Sequence, residues 1–491
     1  MNTFKKKSLY AALAGVGVLG VTGAADAVNL SSTGTGQVLL YPYYTVRADA
    51  AGNSFNSLLS VVNSTACVKS VKVRFLEARN SQEVLDFNLF LSPKDVWTTA
   101  IIPSSTGGGA IITADRSCTL PVITGQINFV NFQYAGDGGG DGLDRTQDGY
   151  VEIIEMATYA ATSTTAANVT HSPPGGTPPG CAKETDILAA AEALAPNGGL
   201  FGGITVINVN QGQSYQENAV ALDNYSVVQL YSASGTINPT LTQATPPVSV
   251  VTASLIVPPA VTPAPTFVQS LWIPTITGTP DPVSAVLMHD RVLNEVVLDS
   301  ATKSTTDWVI TEPTKRYYVQ LGTGPAPELF QRNFSGTSCD DVLLILWDRE
   351  EGTSSTPLNF SPPPPTHVSS ICYEANVIQF GTISPLASNQ NQNLNPTLPA
   401  GYQNGWLDLG FFPLTVTGPV HTLVNAATTL TPAASPSVGP QTATYFGLPV
   451  IGFMVQTFTN NTIMVGTPPV AVQSNYGGDF DHRYSTRIVS P

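Results

Sequence analysis

The sequence predicts an all-β protein with antiparallel β-sandwich-like domains, Pro/Gly-rich loops and one short helix. Apolar and polar residues alternate along many short runs, which is the period of a half-buried strand. Glycine and proline, 42 and 39 of the 491 residues, separate these runs as turn residues. Because 42% of the residues are hydrophobic, this composition indicates turn-rich β structure rather than disorder.

The first 27 residues have the pattern of a signal peptide. The basic run Lys5–Lys7 precedes an apolar run from Leu9 to Val21, and the small-residue motif Ala25-Asp26-Ala27 follows. This order predicts cleavage after Ala27 and export of a mature chain beginning at Val28. No later stretch reaches about 18 uninterrupted apolar residues, so we expect no transmembrane segment after signal removal.

The mature chain is long enough for two β domains. We assign residues 28–231 to an N-terminal domain, 232–266 to a Pro/Thr-rich connector and 267–491 to a C-terminal domain. An arrangement in which the two halves share one sheet is also compatible with the pattern. Strand-like runs recur on both sides of the connector, for example "QVLLYPYYTV", "GYVEIIEM", "GITVINVN", "TDWVITE", "DVLLILWD" and "FMVQTF".

The run "SVKVRFLEARNSQEVLDFNLFLS" shows the strand period best. Val71, Val73 and Phe75 alternate with Lys72 and Arg74. This alternation predicts a β-hairpin with one face in the core and the other in water.

One helix is predicted in the run "TDILAAAEALAPNGG". Thr185 or Asp186 can cap its start, and Pro196 with Gly198 can end it.

The charge balance argues against nucleic acid as a partner. Removal of three lysines and one aspartate with the signal peptide changes the formal net charge from −14 to −16. Binding to nucleic acid or to anionic lipid needs a cationic face, which this composition disfavours. Divalent cations are the more natural counter-charge, although the sequence establishes no cofactor.

Five cysteines are compatible with two disulfides in an oxidising compartment. We favour Cys339 with Cys372 and Cys118 with Cys181, because both pairs flank loop-like sequence, and this leaves Cys67 single. Spacing alone does not fix the connectivity. None of the cysteines forms a CxxC motif of the kind that binds zinc.

An acidic, glycine-rich segment from Gly136 to Asp148 is the best candidate metal site. Calcium is the expected ion, because glycines let the backbone wrap around a cation and carboxylates supply hard oxygen ligands. The spacing fits neither an EF-hand nor a calcium β-roll, so a solvated hairpin loop is the favoured alternative. The candidate ligands are Asp137, Asp141, Asp144 and Asp148.

No catalytic motif is evident in the sequence. Glu152 and Glu155 fall on opposite faces of one predicted strand, so they are not expected to form an acid/base pair within it. No two histidines have zinc-site spacing, and no GxSxG motif supplies a nucleophile. The segment Ser474–Ile488 ends a hairpin or provides a carbohydrate-stacking platform from Tyr476, Phe480 and Tyr484.

Several stretches together resemble a family of exported Gram-negative bacterial proteins that is uncharacterised. They include "LLYPYYTV", "VVNSTACVKSVKVRFLEARNSQEVLDFNLFLSPKDVW", "DRTQDGYVEIIEM", "NEVVLDSATKSTTDWVITEPTKRYYV", "WDREEG" with "FSPPPP", and "VIGFMVQTFTNNT" ahead of "SNYGGDFDHRYSTRI". The resemblance spans nearly the whole mature chain and implies an envelope or extracellular protein. It brings no activity, ligand or catalytic residue, and the expansion that contains Asp137 and Asp141 is an elaboration relative to the family.

These observations favour a non-catalytic structural protein that is exported to the cell surface or the extracellular space, with the periplasm as an alternative location. We expect it to self-assemble as a surface-layer or filament subunit, because exposed strand edges are templates for further strands. Other envelope components are the alternative partners. An adhesin that binds a glycan or a surface partner is the alternative function, and a secreted hydrolase is a less favoured one.

Overall fold

The computed structural model describes residues 27–172, 176–181, 190–255, 264–272, 278–319, 329–330, 336–352, 368–388, 398, 401–411, 421–432 and 438–489. Within these ranges the chain forms several antiparallel sheets and two short α-helices. The predicted all-β, sandwich-like class is confirmed.

The N-terminal half contributes the first thirteen strands of the described chain, together with helix α1 (Thr164–Val169) and 3-10 turns at Leu143–Gln147 and Ala190–Glu192. The strands are β1 (Asn29–Leu30), β2 (Val38–Thr45), β3 (Asn56–Asn63), β4 (Val68–Glu77), β5 (Glu83–Leu91), β6 (Val96–Pro103), β7 (Gly109–Thr113), β8 (Cys118–Leu120), β9 (Gly125–Asn128), β10 (Asp148–Tyr159), β11 (Leu200–Asn208), β12 (Gln213–Asn218) and β13 (Val220–Asp223).

These strands pack as a sandwich of two sheets. One sheet has the order β1-β13-β2-β10-β4-β5-β8, and the other has the order β12-β11-β3-β6-β7-β9. Their facing sides meet in a core to which β4 contributes Val71, Val73 and Phe75 and β3 contributes Leu59 and Val61. The alternate residues of each strand therefore fill the core, as the period of two predicts.

The opposite face of β4 is buried too, so the prediction of a water-facing side was wrong. Lys72 is fully buried, and its Nζ pairs with Asp86 Oδ2 at 3.1 Å and donates to the Thr236 carbonyl oxygen at 2.9 Å. Arg74 donates to Glu152 at 2.6 Å and to Glu83 at 2.8 Å. Each of these charges has a partner. Segments that are distant in the sequence can therefore cover this face of β4 without leaving an unpaired ion in the interior.

The C-terminal half contributes the remaining described strands, with helix α2 (Asp281–Leu287) and a 3-10 turn at Lys315–Tyr317. The strands are β14 (Val248–Leu255), β15 (Ala264–Leu271), β16 (Met288–His289), β17 (Arg291–Val297), β18 (Thr305–Thr311), β19 (Asp340–Asp348), β20 (Val368–Ile371), β21 (Ala375–Phe380), β22 (Asn404–Gly410), β23 (Thr422–Pro432), β24 (Val438–Phe446), β25 (Leu448–Pro449), β26 (Ile451–Val465), β27 (Val470–Asp481), β28 (Arg483–Ser485) and β29 (Arg487–Val489).

The strands of this half form three larger sheets and one short pair. The sheet orders are β14-β15-β23-β24-β29, β20-β19-β22-β17-β28 and β21-β18-β26-β27, and β16 pairs with β25. A large apolar cluster that includes Trp308, Leu407 and Tyr445 joins these sheets.

The boundary region between the halves is more ordered than a simple linker. The predicted connector 232–266 contains β14 and the start of β15, which pair with each other in antiparallel register. The first part of the predicted helix, residues 185–189, lies outside the described residues. The described part holds only the 3-10 turn Ala190–Glu192, and Leu194 forms a β-bridge with Thr158, so the prediction of a helix up to Pro196 was wrong there. Helix α1 begins instead after Ser163, whose Oγ accepts from the Ala166 amide at 3.0 Å.

A buried apolar cluster joins the two halves. The N-terminal half supplies Tyr43, Leu76 and Tyr150, and the C-terminal half supplies Val309 and Phe453. Leu76 and Tyr150 lie on the same covered face of the seven-stranded sheet as Arg74. The second half therefore packs directly on the outer face of the first sandwich.

Candidate self-association surfaces

Strands β26 and β27 form a hairpin that extends beyond its own sheet. The base of β26, residues 451–457, pairs with β18 on one side and with β27 on the other. Beyond Thr459 the two strands pair only with each other, up to the Val465–Val470 pair. Gly466 begins the connecting turn with a φ of 84°, a conformation that glycine adopts readily.

The end of this hairpin, residues 463–472, is exposed along its whole length, and we name it the arm. It carries five large aliphatic side chains, of which Met464 is 62% exposed and Val470 is 59% exposed. The whole stretch 456–474 contains no charged residue. A two-stranded ribbon of this kind buries little apolar surface by itself, so a packing partner would stabilise it.

A second uncharged surface lies on the outer face of the six-stranded sheet. Leu58 of β3, Ile112 of β7 and Phe201 of β11 are each more than 40% exposed there. They line a concavity of about 590 Å³, which we name the groove. Gly203, on the same strand face as Phe201, lines it as well and carries no side chain that would fill it, and none of the lining residues is charged.

A pair of carboxyl groups lies where the base of the arm meets the N-terminal half. β27 runs beside β12, and the Gln216 amide donates to Asp479 Oδ1 at 3.0 Å. Glu217 of β12 is hydrogen-bonded to Asp481 of β27. Burial, together with the charge and hydrogen bond of Asp481, raises the pKa of Glu217 to about 9. Glu217 is therefore protonated at neutral pH and joins the two halves as a hydrogen-bond donor.

This carboxyl pair does not have the spacing of a glycosidase. Retaining enzymes hold their two carboxyl groups about 5 Å apart, and inverting enzymes hold them at about 6.5–9.5 Å. Glu217 and Asp481 are in direct hydrogen-bond contact, which leaves no room for a glycosidic bond between them. Their arrangement fits a structural contact.

The three aromatic residues predicted to stack on a glycan are divided between two environments. Tyr476 and Phe480 lie four residues apart on β27, about 13 Å along one strand face, and both are exposed. Tyr484 lies in β28, where its ring stacks on His289 with centroids 4.2 Å apart and its hydroxyl donates to Gly452 O at 3.0 Å. Only Tyr476 and Phe480 offer a shared face, and glycan stacking stays a prediction.

The acidic segment is organised around Arg145 rather than around an open cation cavity. Asp137 Oδ2 lies 2.8 Å from Arg145 Nη2, and Asp137 also accepts from Asn80 Nδ2 at 2.6 Å. Glu77 Oε1 accepts from the same Arg145 nitrogen at 2.9 Å. The Arg145 guanidinium stacks on Tyr134, with its Cζ 3.9 Å from the ring centroid.

The other three predicted calcium ligands lie in different surroundings. Asp148 is buried, accepts from the Tyr43 hydroxyl at 2.8 Å and pairs with Arg47. Asp144 is exposed and lies 3.8 Å from Arg79, and Asp141 is exposed. Among the described residues, no three His, Cys, Asp or Glu side chains are grouped so that they could hold a metal ion. Calcium binding by this segment stays a prediction.

Both predicted disulfides are present. Cys118 is bonded to Cys181, and Cys339 is bonded to Cys372. Cys67 is a free, partly buried thiol, as the sequence predicted. No helix in the described ranges has the length and apolar character needed to cross a membrane.

Sequence reasoning identified β26 as a strand but missed the arm and the groove. The available signal for the arm was the uncharged run 456–474 in a chain with 54 charged residues. The groove had no such signal, since Leu58, Ile112 and Phe201 come from three strands that become neighbours only in the folded sheet.

Comparison with known proteins adds no relative. No family model matches this chain, and no curated protein matches its sequence. The resemblance to exported Gram-negative proteins therefore stays a prediction.

Proposed function

We propose that this protein is a non-catalytic structural subunit that is exported and assembles with further copies of itself at the cell surface. The arm carries this proposal. Residues 463–472 expose five large aliphatic side chains on a ribbon that has no packing partner within the described chain. Exposed apolar surface of this kind on a monomer is typical of a protein interaction site.

The groove of a second copy is the proposed acceptor for the arm. The arm offers aliphatic side chains and no charge, and the groove offers Leu58, Ile112 and Phe201 and no charge. Two exported copies, each with a formal net charge of −16 after signal removal, repel each other, so contact is least unfavourable where both surfaces are uncharged. The arm and the groove are different surfaces, so their contact is heterologous and generates a ring or an open filament.

Lysine substitutions on the arm test this assembly. Sedimentation velocity and electron microscopy of the wild-type protein should show concentration-dependent oligomers, and Met464→Lys with Val470→Lys should give monomers. Ile383→Lys is the matched control, because Ile383 is 69% exposed and lies outside both surfaces. A wild-type protein that stays monomeric at high concentration and high salt would refute the proposal.

A mixing experiment tests whether the groove is the acceptor. The groove variant, Phe201→Lys, should not assemble by itself, and neither should the arm variant, Met464→Lys with Val470→Lys. In a mixture, the intact arm of the groove variant can still occupy the intact groove of the arm variant. We expect this mixture to form dimers and no longer species. Monomers in the mixture would show that the arm binds elsewhere.

Binding of a glycan or a surface partner is the second candidate function. Tyr476 and Phe480 support it, because both rings are exposed on one face of β27 next to the arm. Retention on a glycan array that falls in Tyr476→Ala but not in Tyr484→Ala would favour this function. Equal retention of wild type and Tyr476→Ala would argue against it.

A further inference from the structure

A lysine and two carboxyl groups meet in the interior of the C-terminal half. Glu312 follows β18, Lys315 begins the next 3-10 turn, and Asp340 begins β19. Lys315 Nζ donates to Glu312 Oε2 at 2.7 Å and lies 2.9 Å from Asp340 Oδ2. A carboxyl carbon is about 1.2 Å from its oxygen, so Nζ is at most about 4 Å from Asp340 Cγ, near the attack distance of about 3–3.5 Å.

The three side chains are removed from water. Lys315 is 1% exposed, and Glu312 and Asp340 are fully buried. The Phe330 ring lies over the lysine, with its centroid 5.5 Å from Nζ. His421 is also buried, with Nδ1 3.9 Å from Asp340 Oδ1 and hydrogen-bonded to Leu329 O at 2.8 Å. An amide formed here would be protected from hydrolysis.

The protonation states of the group determine which proton must move before a condensation. Burial, with the nearby charge of Asp340, raises the pKa of Glu312 to about 7 against the opposing effect of Lys315. Glu312 therefore holds a proton in a large fraction of molecules at neutral pH. Burial disfavours the Lys315 ammonium, but Asp340 and Glu312 favour it, and the pKa of Lys315 is raised on balance. Attack consequently requires that the ammonium first transfers a proton to one of the two carboxylates, Glu312 or Asp340, which removes two charges from a low-dielectric interior.

We propose that Lys315 and Asp340 condense to form an intramolecular isopeptide bond. Lys315 Nζ attacks Asp340 Cγ, so that an N–C bond forms and one C–O bond breaks. Nζ keeps one of its three hydrogens, and the other two leave with the released oxygen as water. Glu312 is the proton relay, because its Oε2 contacts Nζ and its Oε1 has no hydrogen-bond partner among the described residues. The reaction needs no oxidant or other co-reactant.

The bond would join two distant segments of the C-terminal half. It connects the turn after β18 to the first residue of β19, directly beside the Cys339–Cys372 disulfide. A covalent link between residues 315 and 340 would hold the chain together even where that disulfide is reduced.

Peptide mapping of the full-length protein tests the proposal directly. After reduction, alkylation and digestion with trypsin, we expect a branched peptide made of residues 304–316 and 333–349. Its mass should equal the sum of the two peptides less one water, because trypsin does not cut after an acylated lysine. Fragmentation should place the link at Asp340 rather than at Asp341. A digest in which both segments occur only as linear peptides would overturn the proposal.

Three variants test the chemistry, and one serves as a control. Asp340→Asn should yield the same branched product, because condensation with an asparagine releases ammonia and leaves an identical amide. Glu312→Gln should reduce the branched peptide at least tenfold, and a full wild-type yield in this variant would overturn the relay role. Lys315→Met should abolish the branched peptide. Lys69→Met should retain it, since Lys69 is another buried lysine that contacts a glutamate and an asparagine.

Discussion

Arg145 and Asp137 form a buried ion pair inside the acidic segment, with Nη2 and Oδ2 2.8 Å apart. Burial by itself would raise the pKa of Asp137. Hydrogen bonds from the Arg145 guanidinium and from other donors outweigh this effect, and the pKa of Asp137 is lowered. The most acidic part of the sequence is therefore folded around a cation that the chain itself supplies.

Substitution of Arg145 should be strongly destabilising. Arg145→Met leaves Asp137 and Glu77 buried without their cation, and removal of one partner of a buried pair costs about 3–5 kcal/mol. Urea unfolding measures this loss in free energy. Arg349→Met is the control, because Arg349 and its partner Glu350 are both more than half exposed, so this change should alter stability by less than about 1 kcal/mol. Equal effects of the two changes would contradict this prediction.

Calcium binding by the acidic segment should be weak. Asp137 and Asp148 already pair with arginine, which leaves Asp141 and Asp144 as the exposed carboxylates. We expect a dissociation constant no tighter than about 10⁻⁴–10⁻³ M, the range of extracellular modules. Isothermal titration of wild type and of Asp141→Asn with Asp144→Asn measures it. Micromolar binding that survives the double substitution would place the ion elsewhere.

Stability should fall as the pH rises from about 5 to 9, and Glu217 should contribute to the fall. Its pKa is near 4.5 when unfolded and is raised to about 9 in the folded protein, mainly by burial. In that window the folded state retains a proton that the unfolded state has lost. The stabilisation from Glu217 is complete below the pKa of the unfolded state and is lost as the pH approaches the pKa of the folded state. Over this range the free energy of unfolding falls by at most about 1.4 kcal/mol per pH unit.

Glu217→Gln isolates this contribution. The amide keeps a donor towards Asp481 and does not titrate, so the unfolding free energy of the variant should depend less steeply on pH than that of the wild type. The measurement is urea unfolding at intervals between pH 5 and 9. Superimposable pH profiles would show that Glu217 ionises normally in the folded protein.

Both disulfides should stabilise the fold by similar amounts. They close loops with sequence separations of 63 and 33 residues, for which the loss of chain entropy in the unfolded state predicts about 4 kcal/mol each. Paired Cys→Ser variants at each bridge should show this in thermal or urea unfolding. Cys67→Ser is the control and should have little effect, because Cys67 is unpaired.

The sequence predicts strands better than it predicts burial. The alternation of Val71, Lys72, Val73 and Arg74 locates β4 correctly, since the period of two is a local property. Burial of Lys72 depends on Thr236, which lies 164 residues away in the chain. No local pattern encodes that contact.

The same limit applies to the sites. Glu312 and Lys315 are close in sequence, but Asp340 joins them only when β18 and β19 are in place. Likewise Glu217 and Asp481 come from opposite ends of the chain, so their shared hydrogen bond could not be inferred from spacing. The two cysteine pairs were favoured because both flank loop-like sequence, although spacing alone did not fix their connectivity.

Strand β26 runs from the exposed end of the arm, through a register shift between Thr459 and Thr462, into the sheet that contacts the N-terminal half. A pulling force applied to the arm by a neighbouring subunit would therefore act along the strand axis. The hydrogen bonds between β26 and β18 lie across that axis, so the force would shear them together rather than separate them one at a time. An element loaded in this direction can carry tension between subunits, which is a mechanical property suited to a cell-surface assembly.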